Sequence, residues 1–345
     1  MILLILSFLI NSLPQNQIRL NEKPKKEKAV SLREITRING PDGFYDGILF
    51  TVSNNHFVIA DIGNRKIHLY DISNHQLMTF GKEGNGPGEI SEVLDIGLSE
   101  NRIWVQSDVG RISIYDLKGN HIRDINTFEH GSPEIILADK IYLKYDNQHY
   151  QLITYDADGK QIDMIENKTF ISSPSDRGRR IVAKGPDYIP IRDGFLRSRP
   201  GEYQFDFYTR SFEIERTFTK NFQRVKRDLS KVKVNLFQGN MSKEELQKRE
   251  KAARDRLLKR LTEYHNDIQN IAGISNKYIF LSVASSDKTQ LKMQVISPDF
   301  QFYTEFDHDE NDQIIESKVE NERLYISLKN DEIGPYLKVF EINMN

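Results

Sequence analysis

The chain has 345 residues, 38% of them hydrophobic and 28% charged, and a formal net charge of −2 at pH 7. This balance is typical of a soluble folded protein with room for a sizeable core. The absence of cysteine excludes disulfides, thiol catalysis, zinc–thiolate sites and a lipid-modified N-terminal cysteine. The 19 Phe and 15 Tyr favour β structure.

Residues 1–16 begin with an apolar run, MILLILSFLI, that is too short to span a bilayer and fits the core of a signal peptide. No Lys or Arg precedes the run and no A-x-A motif follows it. Two interpretations therefore stay open, a signal peptide or the hydrophobic N-terminus of a cytoplasmic protein, and we favour export. Residues 17–29 are polar and charged, which predicts a linker.

A repeat follows, marked by strand patterns that end in an aromatic residue and Asp, at Asp71, Asp116 and Asp156. Each Asp opens a turn by bonding its side chain to the backbone two residues on. Gly119 and Gly159 are expected to supply the positive φ of the turn, with Asn74 doing so in the first copy. The copies are 45 and 40 residues apart, and four strands in that length is the period of a β-propeller blade.

The run GNGPGEI followed by DIGLSENRIWVQSDVGRISIYDLKGN resembles bacterial six-bladed propellers of the NHL-like and TolB-like type. The match is close from Phe57 to about Ile125 and weakens afterwards. The resemblance implies an all-β fold: a six-bladed β-propeller of four-stranded antiparallel blades, with one helical insertion late in the chain. It carries almost no information about activity.

The stretch FGKEGNGPGEI, residues 80–90, could be read as a phosphate-binding loop. A P-loop needs Lys and Ser or Thr ahead of a helix, whereas Pro87 and Gly88 stand there and a strand pattern follows. The glycines are therefore predicted to carry the chain from the outer strand of one blade to the inner strand of the next.

The propeller is expected to occupy residues 30–345. Its six blades are placed at Phe44–Phe80, Ile90–Ile125, Pro133–Ile165, Ile181–Phe218, Asp267–Phe306 and Ile314–Ile342. The last blade lacks a fourth strand, and residues 30–38 alternate well, so they are predicted to close the ring. Removing residues 1–38 should then destabilise the fold, whereas removing residues 1–24 should not.

Residues 219–265 form a basic, partly helical insertion. Between Arg216 and Arg260 there are fifteen Lys or Arg against five Asp or Glu. Ser242 and Glu245 form a capping box, and a narrow apolar stripe follows, which predicts a helix packed against the ring. Its opposite face displays Lys248, Arg249 and Lys259 to solvent or to an acidic partner. Interleaved acids and the lack of an aromatic platform argue against nucleic acid.

The sequence offers candidate ligands for a zinc site and for a calcium site and favours neither. His149 and His265 could reach the channel mouth, where some related propellers hold zinc. Oxygen ligands for calcium, as in related lactonases, could come from residues on or near predicted inner strands. These are Asp46, Glu92, Asp95, Asn270 and Glu316. No cluster stands out, so we expect no metal and no cofactor.

Loops between second and third strands lie on one face of a propeller, and function concentrates on such loops. Arg65, Arg111 and Arg199 recur there, together with His149. We expect these four residues to bind an anionic or carboxylate-bearing ligand.

The sequence thus predicts a non-catalytic, exported binding or scaffold propeller, periplasmic or associated with the cell surface. It would recognise a protein, peptide or glycan through its loops and central channel, as a monomer that does not span the membrane. The alternative is a channel-site metal-dependent lyase or lactonase of the six-bladed type. No convergent set of reactive groups supports the alternative.

Overall fold

The computed structural model describes residues 17–27, 29–40, 43–45, 47–53, 55–74, 76–99, 101–107, 110–127, 134–137, 140–145, 151–166, 189–191, 194–231, 242–259 and 261–344. The predicted signal peptide, His149 and Asp46 lie outside these residues. No helix in these ranges is long and apolar enough to cross a membrane.

The chain begins with two strands that join sheets formed much later in the sequence. They are β1 (Gln17–Arg19) and β2 (Val30–Ile38). The first sheet contains β3 (Ile48–Ser53), β4 (His56–Asp61), β5 (Lys66–Asp71) and β6 (Gln76–Phe80). Two short strands, β7 (Lys82–Glu83) and β8 (Glu89–Ile90), connect it to the second sheet.

The second and third sheets repeat the arrangement of the first. The second contains β9 (Val93–Ser99), β10 (Arg102–Ser107), β11 (Arg111–Asp116) and β12 (His121–Asn126). The third contains β13 (Glu134–Leu137), β14 (Ile141–Tyr145), β15 (Gln151–Tyr155) and β16 (Gln161–Glu166). All consecutive strands within these sheets pair antiparallel.

The later sheets each recruit a partner from elsewhere in the chain. The fourth contains β17 (Ile189–Ile191), β18 (Gly194–Ser198), β19 (Gln204–Thr209) and β20 (Ile214–Thr219), with β1 parallel to β20. The fifth contains β21 (Ile268–Ser275), β22 (Tyr278–Val283), β23 (Gln290–Ile296) and β24 (Phe302–Asp309). The sixth contains β25 (Gln313–Glu320), β26 (Arg323–Asn330), β27 (Gly334–Met344) and β2, and β21 pairs with β25 across the two sheets.

The turns between third and fourth strands form as the sequence predicts in two copies. The Asp116 carboxylate accepts from the backbone N–H of Lys118 at 2.8 Å, and Gly119 has φ of +75°. Asp156 accepts from the N–H of Asp158 at 3.0 Å. Asn74 differs from expectation, because its φ is not positive; its side chain instead accepts from the N–H of Gln76.

Hydrophobic side chains are buried between sheets in five core clusters, which we call seams. Each is shared by two neighbouring sheets: first and second, second and third, fourth and fifth, fifth and sixth, and sixth and first. Phe50 and Phe57 of the first sheet, for example, pack with Tyr325 of the sixth. Burying each such ring stabilises the fold by about 1.5–3 kcal/mol. Four-stranded sheets packed face to face in sequence are the architecture of a β-propeller.

The segment predicted as a linker, residues 17–29, is bound to two sheets. After β1 pairs with β20, Leu20 is only 2% exposed and belongs to the core between the fourth and fifth sheets. The Asn21 side chain donates to the Phe302 carbonyl at 3.0 Å and accepts from the Phe302 N–H at 2.7 Å. These core and sheet-edge contacts argue against the expectation that residues 1–24 do not contribute to stability.

The late insertion contains one helix, α1 (Lys243–Leu258), with Ser242 as its N-cap. The Ser242 hydroxyl accepts from the N–H of Glu245 at 3.2 Å, as the capping box predicts. None of the helix residues is buried, however, and its apolar stripe is only half-buried. The prediction that this stripe is buried against the ring is therefore wrong, because its residues are only half-buried.

Candidate binding site at the channel mouth

The first strand of each sheet forms the inner edge of that sheet, where neighbouring sheets come closest to one another. These inner strands contact one another in turn: β17 with β21, β21 with β25, β25 with β3, β3 with β9, and β9 with β13. Such a set of inner strands surrounds the central channel of a propeller. The direction in which each side chain points from these strands therefore decides which groups a ligand in the channel would contact.

Three inner strands carry a β-bulge at the end where the strand begins. In β9 the pairing with β10 passes from Val93 to Asp95, so that Leu94 has no partner of its own. In β21 the extra residue is Gln269, and in β25 it is Ile315. A bulge breaks the strict alternation of a strand and re-aims the extra side chain.

The side chains at these bulges are exposed, whereas the residues on either side of them are buried or half-buried. Leu94 and Ile315 are each 51% exposed, and Gln269 is also exposed. Tyr45, which precedes β3 at the same end of the first sheet, is 68% exposed. We call Tyr45, Leu94, Gln269 and Ile315 the mouth residues. A contiguous exposed apolar patch with a polar rim is a feature of binding surfaces, whereas single exposed apolar side chains are ordinary.

A polar residue follows each bulge and is half-buried. Asp95 accepts from the N–H of Ile96 at 2.8 Å. The Asn270 amide donates to the Ser317 carbonyl at 2.9 Å and so joins β21 to β25. Glu316 lies 3.6 Å from the Lys318 ammonium. These groups stiffen the strands behind the mouth residues, because each is engaged by its own chain.

The arginines predicted to bind an anion already have partners within the chain. Arg65 pairs with Glu83, and Arg199 pairs with Asp206, whose carboxylate is fully buried. Arg111 donates to the carbonyls of Asn85 at 2.8 Å and Glu89 at 2.6 Å. They occupy equivalent turns of three sheets, and their role in binding a ligand stays a prediction.

The glycine-rich connection is built as a closed structural loop. The Glu89 carboxylate accepts from the N–H of Gly86 at 2.9 Å and pairs with Lys82 at 2.8 Å. These bonds, with the Lys82 bond first, hold the pKa of Glu89 below its usual range. The chain then enters β8 and β9 rather than a helix. The loop thus binds a carboxylate of its own chain in the place where a phosphate was considered.

The metal candidates do not converge in the described part of the chain. No group of three or more His, Asp or Glu there could hold an ion. Burial lowers the pKa of His265, and the positive charges of Arg227 and Lys288 lower that pKa further. A cationic surrounding of this kind opposes a bound cation at His265.

The helix presents its basic residues to solvent as expected. Lys248, Arg249 and Lys259 are exposed. Arg249 pairs with Glu245 one turn earlier, at 2.9 Å. Exposed pairs of this kind contribute little to stability, so the face remains open to a partner.

Sequence reasoning missed the mouth residues because bulges interrupt the alternation on which strand prediction depends. A weak signal is present once the inner strands are aligned. An aliphatic residue that is buried or half-buried, an exposed residue and an acid or amide recur as Val93-Leu94-Asp95, Ile268-Gln269-Asn270 and Ile314-Ile315-Glu316. From sequence alone, the acid and amide of this pattern indicate only possible calcium ligands.

Comparison with solved structures identifies the fold. A candidate exported protein from Bacteroides fragilis NCTC 9343 is 12% identical, with a TM-score of 0.58 over 95% of this chain and 99% of its own. A member of the DUF4221 family from Bacteroides vulgatus ATCC 8482 is 14% identical, with a TM-score of 0.52 over 93% and 100%. The WD40 repeats of RRP9 are 10% identical, with a TM-score of 0.53 over 90% and 97%.

No protein-family model matches the sequence, and no curated protein matches it. At identities this low, likeness to solved structures establishes the fold alone. The chain is a β-propeller.

Proposed function

We propose that this chain is a non-catalytic, exported binding propeller that recognises a protein, peptide or glycan at the mouth of its central channel. The observation that carries the proposal is the repeated bulge, which exposes Leu94, Gln269 and Ile315 at the same end of three inner strands. These side chains offer apolar surface and an amide, and none of them titrates near neutral pH. They are suited to binding rather than to acid–base chemistry.

The ring is proposed to have six blades of the NHL-like and TolB-like type, built from residues 30–345, with residues 17–27 bound against the fourth and fifth sheets. Six groups of consecutive strands and five described seams support this count. The pairing of β2 with β27 supports closure of the last blade by residues 30–38. The N-terminal apolar run supports export, to the periplasm or the cell surface, and a monomer is expected. No observation favours the lyase or lactonase alternative.

The test is a peptide and glycan array probed with the full chain and with two double variants. The mouth variant carries Leu94→Ser and Ile315→Ser. The control carries Ile122→Ser and Ile162→Ser, which replace aliphatic residues of similar exposure, 39% and 47%, on the outer strands β12 and β16. Each variant replaces two exposed aliphatic side chains by Ser, so the two variants differ in where the apolar surface is lost.

We expect spots bound by the wild type to be lost with the mouth variant and retained with the control. Loss of binding in both variants, or in neither, contradicts a site at the mouth. Turnover of lactones or release of a lyase product by the wild type would contradict a non-catalytic role.

A further inference from the structure

The late insertion is anchored by a two-stranded stem beside the channel mouth. Residues 224–227 run against residues 262–265: the N–H of Arg227 donates to the Glu263 carbonyl at 2.9 Å, and that of His265 to the Val225 carbonyl at 3.0 Å. The last stem residue, His265, is followed closely by β21, whose bulge exposes Gln269. The insertion therefore leaves and rejoins the ring at the mouth end of an inner strand.

A second loop brings a cation to the same place. Lys288, in the loop between β22 and β23, has its carbonyl bonded to the N–H of Ile314 at 2.8 Å. Ile314 directly precedes the exposed bulge residue Ile315. Lys288 also lies close enough to His265 for its charge to lower the pKa of that imidazole. The stem, this loop and the aliphatic mouth are thus contiguous.

The charges at this junction are unequal in how they are compensated. Arg224 pairs with the buried Asp267 at 3.2 Å, and Lys226 pairs with Glu263 at 2.9 Å. Arg227 instead donates to two carbonyls, those of Thr262 at 3.3 Å and Tyr264 at 3.4 Å. Lys288 is exposed. Within the described ranges neither Arg227 nor Lys288 forms an ion pair, so two positive charges beside the mouth are not paired with a carboxylate.

We propose that the ligand of the mouth is a peptide segment in which acidic residues stand next to aliphatic ones. This inference rests on the proposed function and adds its chemistry: Arg227 and Lys288 receive the acidic side chains, while Leu94 and Ile315 receive the aliphatic ones. Complementary charge at the rim and apolar contact at the centre is how protein–peptide sites divide affinity and selectivity. A glycan would use aromatic platforms, and among the described mouth residues only Tyr45 is aromatic.

The experiment measures fluorescence anisotropy of labelled twelve-residue peptides with the full chain. One peptide combines Glu and Leu, a second replaces Glu by Lys, and a third replaces Leu by Ser. Sulfated dextran is the anionic glycan probe. The protein variants are Arg227→Gln with Lys288→Gln, which we call the stem variant, and the mouth variant, Leu94→Ser with Ile315→Ser.

The control variant, Lys118→Gln with Lys160→Gln, removes two exposed cations from turns between third and fourth strands, at the other end of the sheets. Arg227→Gln could loosen the stem by removing two bonds. Lys288→Gln alone, an exposed change, is therefore measured as well, with thermal unfolding of every variant.

We expect the Glu–Leu peptide to bind best and the stem variant to weaken it by about three- to tenfold, since each exposed charge contributes modestly. Lys288→Gln alone should give part of this loss, and the control none. Most of the difference should disappear at 1 M salt, where the Debye length is about 3 Å.

Equal binding of the Lys–Leu peptide, or an unchanged affinity in the stem variant, overturns the acidic peptide. If that occurs while the mouth variant still loses binding, the proposed mouth stands and only this inference fails. Loss in the stem variant alone supports acidic recognition but overturns the mouth. Tighter binding of sulfated dextran than of the Glu–Leu peptide, lost in the stem variant, overturns a peptide in favour of an anionic glycan.

Discussion

The N-terminal segment, residues 17–27, and the helix α1 are two described parts of the molecule that do not follow the blade repeat. The first is polar and carries a proline, whereas the second is capped and carries an apolar stripe. The structure binds the polar segment tightly, with Leu20 in the core, and leaves the helix without a buried residue. Composition alone thus predicts the wrong order of burial.

The difference follows from where backbone groups find partners. The outer strands β20 and β24 present unpaired N–H and C=O groups, which a passing segment can satisfy. The N–H of Leu20 bonds to the Thr219 carbonyl at 2.8 Å, and that of Lys26 to the Tyr303 carbonyl at 2.8 Å. A helix pairs its backbone N–H and C=O groups with one another, so it gains no comparable hydrogen bonds by binding a sheet edge.

The largest expected effect is that of deleting residues 1–24. This truncation removes β1 and the buried Leu20, and it should lower the free energy of unfolding by at least about 4 kcal/mol, because a buried leucine alone contributes about 2–5 kcal/mol. Urea denaturation measures the loss. Deletion of residues 1–16, which keeps β1 and its bonds, is the matched control; equal stability of the two truncations would show that the segment is dispensable.

A single side chain sharpens the same point. Asn21→Ala removes both bonds to the Phe302 backbone and leaves that N–H without its partner, while the carbonyl still accepts from the Lys25 N–H at 3.0 Å, so the expected cost is about 2 kcal/mol. Asn343→Ala serves as control, since its exposed side chain makes no hydrogen bond within the described chain. Equal denaturation midpoints for the two variants would mean that Asn21 does not fasten the segment.

Lys220, at the end of β20, adds a pH dependence where the segment crosses between sheets. Its ammonium bonds to Gln294 at 3.2 Å and lies 3.4 Å from the centre of the Phe302 ring. Burial lowers the pKa of Lys220 to about 8. The unfolded chain therefore holds this proton more tightly, and stability should rise as pH increases from about 8 to about 10.4, the ordinary lysine value.

Relative to Lys220→Met, the wild type should gain about 1 kcal/mol over that interval, after allowance for solvent screening. The measurement is urea denaturation of both proteins at several pH values. A difference between them that stays constant with pH would contradict a depressed pKa.

The smallest effect is expected for the helix. Replacing residues 228–260 by a short Gly-Ser linker keeps the stem and removes no described buried residue. The free energy of unfolding should fall by less than about 1 kcal/mol, in keeping with the usual effect of surface changes. A loss as large as that of the 1–24 truncation would show that the helix is part of the core.

Local features were predictable, whereas most non-local ones were not; the pairing of residues 30–38 with β27 is an exception, because the last blade lacked a fourth strand. The turns at Asp116 and Asp156 and the Ser242 cap depend on residues a few positions apart, so their pattern was sufficient. Burial of Leu20 depends on a sheet edge that forms two hundred residues later in the chain. The same limit applies to the site: the bonds from the Arg111 guanidinium to carbonyls of the preceding connection could not be predicted from sequence, and its role in ligand binding stays a prediction. The exposed bulge residues follow from strand register, which sequence alternation does not specify.

The central claim is that the bulge residues form a binding surface, and site-specific photo-crosslinking tests it most directly. A benzophenone amino acid is placed singly at Leu94 and Ile315, and as controls at Ile122 and Ile162, and each protein is irradiated with the tightest array ligand. We predict crosslinks at Leu94 and Ile315 that an excess of unlabelled ligand abolishes, and none at the two controls. Crosslinks of equal yield at all four positions, or at the controls alone, would contradict the account.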